Sequence, residues 1–311
     1  MKNLISVTIM VRDSGPILDE FLRRLDKQKV DLPHELVVLY YGKGKDTLKR
    51  LQPYASKIIQ ITPGKFDLGI CRDLVCKNAS RKYIVTVSVD ALPVNNSWLQ
   101  ELVTPLISGK ADIVQGEIQC PKENDPNYPN FFYWEHDYGF FYTSEEKSFS
   151  KNYGDIGLSC VNMAFLKEVW KNCKFKDASY CEDKIFQKRV FASGYTSIFN
   201  RKALVIHAHS YPTIKAVFKR VSNEGFGWKQ VGEKYSIFLL IKDLLRFDLH
   251  TLALKALLEN KLKYRSEILF FFIRPVALYW GNHFTKSIYL SPVFQDDNTF
   301  AFRLLALYNF K

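Results

Sequence analysis

The sequence predicts an α/β fold with a Rossmann-like, doubly wound and mostly parallel sheet, followed by a helical C-terminal extension. Two observations carry this reading. Through the first half, short β-branched runs alternate with segments whose apolar residues recur at helical spacing, the rhythm of βαβ units. From Tyr211 onward the pattern is mainly helical. The 311 residues suit one large α/β domain with an appended module, divided at residues 1–210 and 211–311. A composition 47% hydrophobic and 24% charged excludes a disordered or low-complexity chain.

Residues 4–11 form a β-branched run of the kind buried on both faces of a sheet. The run ends at Arg12-Asp13 with no small-residue cleavage site after it, so it reads as a first strand and not as a signal peptide. Asp13-Ser-Gly-Pro16 starts a helix with Pro16 in its first turn, and Ile17, Leu18, Phe21, Leu22 and Leu25 follow on one face. Residues 36–41 make a second strand, broken at Gly42, and 58–61 a short third. A helix runs from near Leu68 to about Ala79, and the next strand, 83–89, ends at Asp90. Asn96-Ser97 caps a helix bearing Trp98, Leu99, Leu102, Val103, Leu106 and Ile107, and 112–118 is again strand-like.

Residues 119–150 have weak periodicity and an aromatic cluster at 131–134 and 138–142. Segment 155–206 returns to sheet-and-helix patterning and closes with a strand at 203–206. In the extension, apolar runs stand at 237–241 and 268–273, and the stretch 268–280 is broken by Arg274-Pro275. No run reaches the roughly 18–20 apolar residues of a spanning helix. The six cysteines lack a CxxC pair and read as thiols in a reducing compartment, which gives a cytoplasmic expectation. The net charge is +12, and residues 211–311 hold fifteen Lys and Arg against eight Asp and Glu. Such a tail can meet nucleic acid, anionic lipid or phosphorylated substrate. No nucleic-acid motif is present, so no nucleic-acid partner is expected.

Candidate chemistry lies at strand and helix ends. Asp90 follows a buried strand, where ligands of open α/β sheets sit. Glu182-Asp183 opens a helix carrying Ile185, Phe186, Val190 and Phe191. His207 and His209 follow the 203–206 strand and, two apart, face one side. Carboxylate plus imidazole is a ligand set for a divalent metal. Each residue alone also has an ordinary reading: a turn aspartate, acids offsetting a helix dipole, or a satisfied strand-end histidine.

Order and spacing add a resemblance. Phe66-Asp-Leu-Gly-Ile-Cys-Arg-Asp73 is followed by Val87-Ser-Val-Asp-Ala-Leu-Pro93 and Trp98-Leu99. Then come Asn162-Met-Ala-Phe-Leu-Lys-Glu-Val-Trp170, Tyr180-Cys-Glu-Asp183, Ala192-Ser-Gly-Tyr195 and Val205-Ile-His-Ala-His209. Together, over about residues 4–230, they resemble the family-2 inverting glycosyltransferases of the GT-A fold, in a rhamnosyltransferase-like branch. The resemblance implies transfer of a sugar from a nucleotide-diphosphate donor, a dTDP- or UDP-sugar, to a hydroxyl of a glycan or lipid-linked acceptor, with inversion.

By the same resemblance Asp90 takes the last position of the family's DxD element and holds Mn2+ or Mg2+. His207 or His209 supplies the second protein ligand, the choice between them being open. Asp183 is the general base, with Glu182 orienting it or touching the acceptor. Asp67, Gly69, Arg72 and Asp73 belong to the donor side. Gly69 there permits close backbone approach. Arg72 supports the diphosphate or the metal site, or is a helix-surface arginine. Asp155, Asn162 and Trp134 are acceptor-side candidates, although the 131–142 aromatics also suit a helix packed on the domain.

Two departures stand out. Ser88 replaces the first acid of the DxD element, and Leu39-Tyr-Tyr-Gly-Lys-Gly-Lys-Asp46 has tyrosines where the family has a nucleotide-contacting Asp. Asp13 or Asp46 substitutes for that Asp, or a tyrosine stacks on the base. The departures keep a catalytically silent binding protein in view. A sugar-phosphate nucleotidyltransferase is the other alternative, with Arg12-Asp-Ser-Gly15 a poor version of its expected loop. The basic extension suits either the surface of an anionic membrane, on the inner face of the cell membrane, or packing within the fold or a dimer.

Overall fold

The computed structural model describes residues 4–62, 67–122, 124–134, 157–175 and 179–285. Strands β1 (Ile5–Val11), β2 (His34–Tyr40), β3 (Lys57–Gln60) and β4 (Tyr83–Val87) alternate with helices α1 (Pro16–Asp26), α2 (Lys45–Leu51) and α3 (Leu68–Asn78). Next come β5 (Ala91–Pro93), α4 (Trp98–Ile107), β6 (Ile113–Gln119), β7 (Asn162–Leu166), α5 (Lys167–Cys173), α6 (Glu182–Ala192) and β8 (Ser197–His207). The helical part comprises α7 (Ile214–Val231), α8 (Ile237–Leu244), α9 (Phe247–Leu258), α10 (Arg265–Ile268) and α11 (Phe270–Phe284).

The eight strands make one sheet in the order β3-β2-β1-β4-β7-β6-β8-β5. The first four are parallel neighbours, the doubly wound half expected from the βαβ rhythm. Beyond β4 the sheet is mixed. β7 runs antiparallel between β4 and β6, β8 lies parallel to β6, and β5 runs antiparallel to β8. The antiparallel strands escape a βαβ reading because nothing in a short apolar run records direction.

Strand alternation fills both faces. Leu36, Val38 and Tyr40 point into a core with α1 and α4, whereas Val37 and Leu39 join α3, α5 and α6 on the other side. Pro16 occupies the first turn of α1 after Gly15, as its fixed φ favours. A third core belongs to the helical part. Phe132 and Trp134 pack there with Val221, Phe270, Phe271 and Leu278.

The expected break at Arg274-Pro275 does not occur: α11 continues through Pro275. The proline removes one helical N–H, but α11 is clamped against α7 along its length. A Cβ on Gly225 would come within 2.2 Å of the Leu278 carbonyl oxygen, and one on Gly281 within 1.9 Å of that of Ser222. This close crossing outweighs the local cost of the proline. Among the described residues no helix is long and apolar enough to cross a membrane.

Candidate active site

β4 ends at Val87, and the chain turns with the Ala91 N–H bonded to the Ser88 carbonyl at 3.0 Å. β5 then pairs with β8 so that Ala91 stands opposite His207. This register sets Asp90, at the tip of the turn, beside the histidines that close β8. His207 Nε2 lies 3.5 Å from Asp90 Oδ1, and His209 Nε2 lies 3.5 Å from Oδ2. The imidazoles meet edge to face, their centroids 4.5 Å apart. Burial pushes the Asp90 carboxyl up, but the His207 and His209 rings outweigh it and hold the group at about 2. Asp90 therefore stays an anion.

One donor atom from each of the three residues falls within 4.8 Å of the others. One carboxylate and two imidazoles on that scale fit a divalent cation, leaving its remaining positions to water and phosphate oxygens. Ser88 enters this turn through its backbone, receiving the Ala91 N–H and donating to the Val161 carbonyl at 3.2 Å.

A segment from which the sequence singled out Trp134 alone, as an acceptor-side candidate, grips this centre from behind. The Tyr128 hydroxyl lies 2.6 Å from the Asp90 carbonyl and 2.6 Å from the Ile206 carbonyl. The Phe132 N–H donates to the His209 carbonyl at 2.7 Å. Two residues on, Trp134 Nε1 donates to the Glu267 carbonyl at 2.7 Å. The wholly buried Glu267 carboxylate accepts from the backbone of Tyr133, Lys263 and Tyr264. The only sequence signal for this segment was its aromatic density.

On the other face of the sheet, Arg72 is buried in α3 and is not a surface residue. It donates to Thr86 Oγ1 of β4 at 2.8 Å and to Glu182 Oε1 at 3.0 Å. Burial pushes the Glu182 carboxyl up against the pull of Arg72, with Asp183 adding to the push. Cys181, just before α6, takes a left-handed φ of 57°, a strained conformation for a side chain of this kind. The half-buried Asp183 follows Glu182, one carboxyl oxygen accepting the Lys184 N–H at 2.9 Å. Tyr41 follows β2, and burial raises its phenol.

Several expected residues are occupied elsewhere. Asp73 accepts from Trp170 Nε1 and the Phe175 N–H, joining α3 to α5. Asp67 caps α3 by accepting from the Ile70 N–H, and Gly69 is buried in its first turn. Asn162 is wholly buried: it receives the Trp98 indole N–H and donates to the Glu117 and Ala203 carbonyls. Trp134 is equally buried in the helical core. Neither presents a surface to an acceptor, which corrects both acceptor assignments: a fully enclosed side chain with its polar atoms engaged has nothing to offer. Asp155 and the aromatics at 138–142 lie outside the described residues.

No family model matches the chain. The mannosyltransferase PcManGT from Pyrobaculum calidifontis, solved in complex with GDP-Man and Mn2+, superposes at a TM-score of 0.59 with 14% identity. The match covers 91% of this chain and 88% of that one. The chain has the GT-A glycosyltransferase fold. The O-antigen chain rhamnosyltransferase WbaN of Salmonella anatum is 24% identical over 216 residues, 67% of this chain. That stretch spans 66% of the relative, just under two thirds of its length. The likeness to WbaN agrees with the rhamnosyltransferase-like resemblance of the motifs.

Proposed function

We propose that this chain is an inverting glycosyltransferase that moves a sugar from a nucleotide-diphosphate donor to an acceptor hydroxyl in polysaccharide or lipid-linked glycan synthesis. The observation that carries the reading is the convergence of Asp90, His207 and His209 within 4.8 Å at the carboxyl ends of strands. The catalytic part runs to about residue 210, with the helical extension beyond it. When bound by these three residues, Mn2+ or Mg2+ supplies charge neutralisation for the departing diphosphate.

Asp183 takes the proton of the acceptor hydroxyl as that oxygen attacks the anomeric carbon. The bond from that carbon to the diphosphate breaks on the opposite face, its electron pair leaves with the nucleoside diphosphate, and one base suffices for inversion. Arg72 acts by holding Glu182, and so α6, rather than by touching the donor. For the nucleotide, Asp13 is committed to Tyr40, Lys43 and Gly44, and Asp46 faces solvent. Tyr41 is therefore the residue we assign to the base of a dTDP- or UDP-sugar.

The acceptor side favours a membrane surface at the cytoplasmic face. α8 has no buried residue, and Phe238, Phe247, Leu254 and Leu258 are exposed beside Lys242 and Lys255 within a basic extension. An apolar helix left at the periphery suits a lipid interface.

A thermal-shift panel of nucleoside diphosphates with and without Mn2+ tests the donor reading. The expected result is stabilisation by one nucleotide that requires the metal. Indifference to every nucleotide would sink it. Asp183→Ala is expected to lower transfer by about 10²–10⁴-fold while sparing donor binding; near-normal transfer would remove Asp183 from its role.

A further inference from the structure

The three residues of the proposed metal centre sit at the ends of strands, where backbone is least constrained by ladder bonds. One short segment holds all three. Tyr128 reaches the carbonyl of Asp90 itself and the carbonyl of Ile206, the residue before His207. Phe132 holds the carbonyl of His209. A phenol has one proton, so the Tyr128 hydroxyl shares it between two carbonyls. It lies where β5 and β8 first pair, with Ala91 opposite His207 and Leu92 opposite Ile206.

The phenol is itself rigidly presented. Its ring is buried in the core of the sheet. Its own N–H bonds to the Asp125 carbonyl at 3.0 Å, and the Asp125 carboxylate closes the turn by accepting from the Asn127 N–H at 2.9 Å. The far end of the segment is fixed to the helical part through Tyr133 and Trp134 on Glu267.

We propose that Tyr128 is a positioning residue for the metal centre, setting the separation of Asp90 and His207 by bridging their backbones, within a strap (residues 128–134) that ties this geometry to the helical extension. The proposal rests on the metal reading above. Without the hydroxyl, two buried carbonyls face one another with no shared proton. The turn and the end of β8 then relax apart, carrying the carboxylate away from the imidazole. Ligand-orienting partners outside the coordination sphere typically contribute ten- to a hundredfold in metal affinity, and that is the range expected here.

The test is Mn2+ titration of the full chain followed by electron paramagnetic resonance, which reads free and bound ion without reference to turnover. Tyr128→Phe is expected to raise the Mn2+ dissociation constant by about ten- to a hundredfold and to broaden the bound-ion spectrum. Asp125→Ala keeps the phenol but loosens its turn, so it gives a smaller rise in the same direction and serves if Tyr128→Phe folds poorly. Val169→Ala, in the core on the α5 side of the sheet and away from the strap, is expected to lower thermal stability and leave the Mn2+ constant unchanged, which separates positioning from general destabilisation. A wild-type chain that binds Mn2+ and variants at 128 and 125 that bind it equally well overturn the role of Tyr128 alone. A wild-type chain that takes up no Mn2+ overturns the metal reading, and this proposal with it.

Discussion

Asp90 and the two histidines owe their meeting to single-residue register. Were β5 shifted by one position against β8, Ala91 would no longer stand opposite His207 and the carboxylate would face away. At a Mn2+ concentration a hundredfold above its dissociation constant, the bound ion should stabilise the wild type by about 2.7 kcal/mol. Asp90→Asn is expected to lose most of that gain in a thermal-shift titration, read as the difference between the metal-free and Mn2+-loaded melting temperatures of the same variant; an undiminished Mn2+ shift would remove Asp90 from the ligand set.

Glu35 offers a separate check on the fold. Burial pushes its carboxyl up, but hydrogen bonds from Ser6 and Ser80 outweigh this and hold it below the ordinary value. A depressed folded-state pKa contributes stability at neutral pH that is lost as pH falls out of the ordinary glutamate range and through the lower folded value. Melting temperature followed down to pH 3 should fall less steeply in Glu35→Gln than in the wild type; identical slopes would assign the acid loss to other groups.

Among the elements, α3 and α6 are joined by one buried ion pair, and Arg72 and Glu182 have almost no exposed side chain. Removing one partner leaves the other charge stranded, so Arg72→Met should destabilise by about 3–5 kcal/mol in urea unfolding. The double variant Arg72→Met/Glu182→Met should recover much of the loss, because two apolar side chains replace two buried charges. If the double variant is no more stable than the single one, the pair is not what couples the helices. α7 and α11 meet on glycine instead. Gly225→Ala places its methyl against the Leu278 carbonyl and should cost about 1–3 kcal/mol; a neutral result would mean that the crossing yields.

At the scale of the molecule, the helical part and the sheet share a seam centred on Glu267, whose carboxylate satisfies three backbone N–H groups at 2.6–2.9 Å. Glu267→Ala orphans those donors, and calorimetry is expected to split one unfolding transition into two, the helical part melting first. A single transition shifted as a whole would show that the two parts unfold together regardless.

The βαβ half was legible in the chain because β-branched runs such as 4–11 and helical spacing such as Leu18, Phe21, Leu22 and Leu25 are local properties, and local energetics chose those elements. Asp90 and the histidines were legible as ends of such runs, and the family-like order of motifs supplied the expectation that they meet. Which residues were spent on structure was not legible. Asn162 and Trp134 carry the same polar groups whether buried or exposed, and Tyr128 looks like any loop tyrosine until its hydroxyl is seen between two carbonyls. Strand direction, the burial of Arg72 and the grip of residues 128–134 depend on contacts between positions dozens of residues apart. Only three-dimensional packing sets those contacts, since no pattern along the chain encodes the partner of a hydrogen bond.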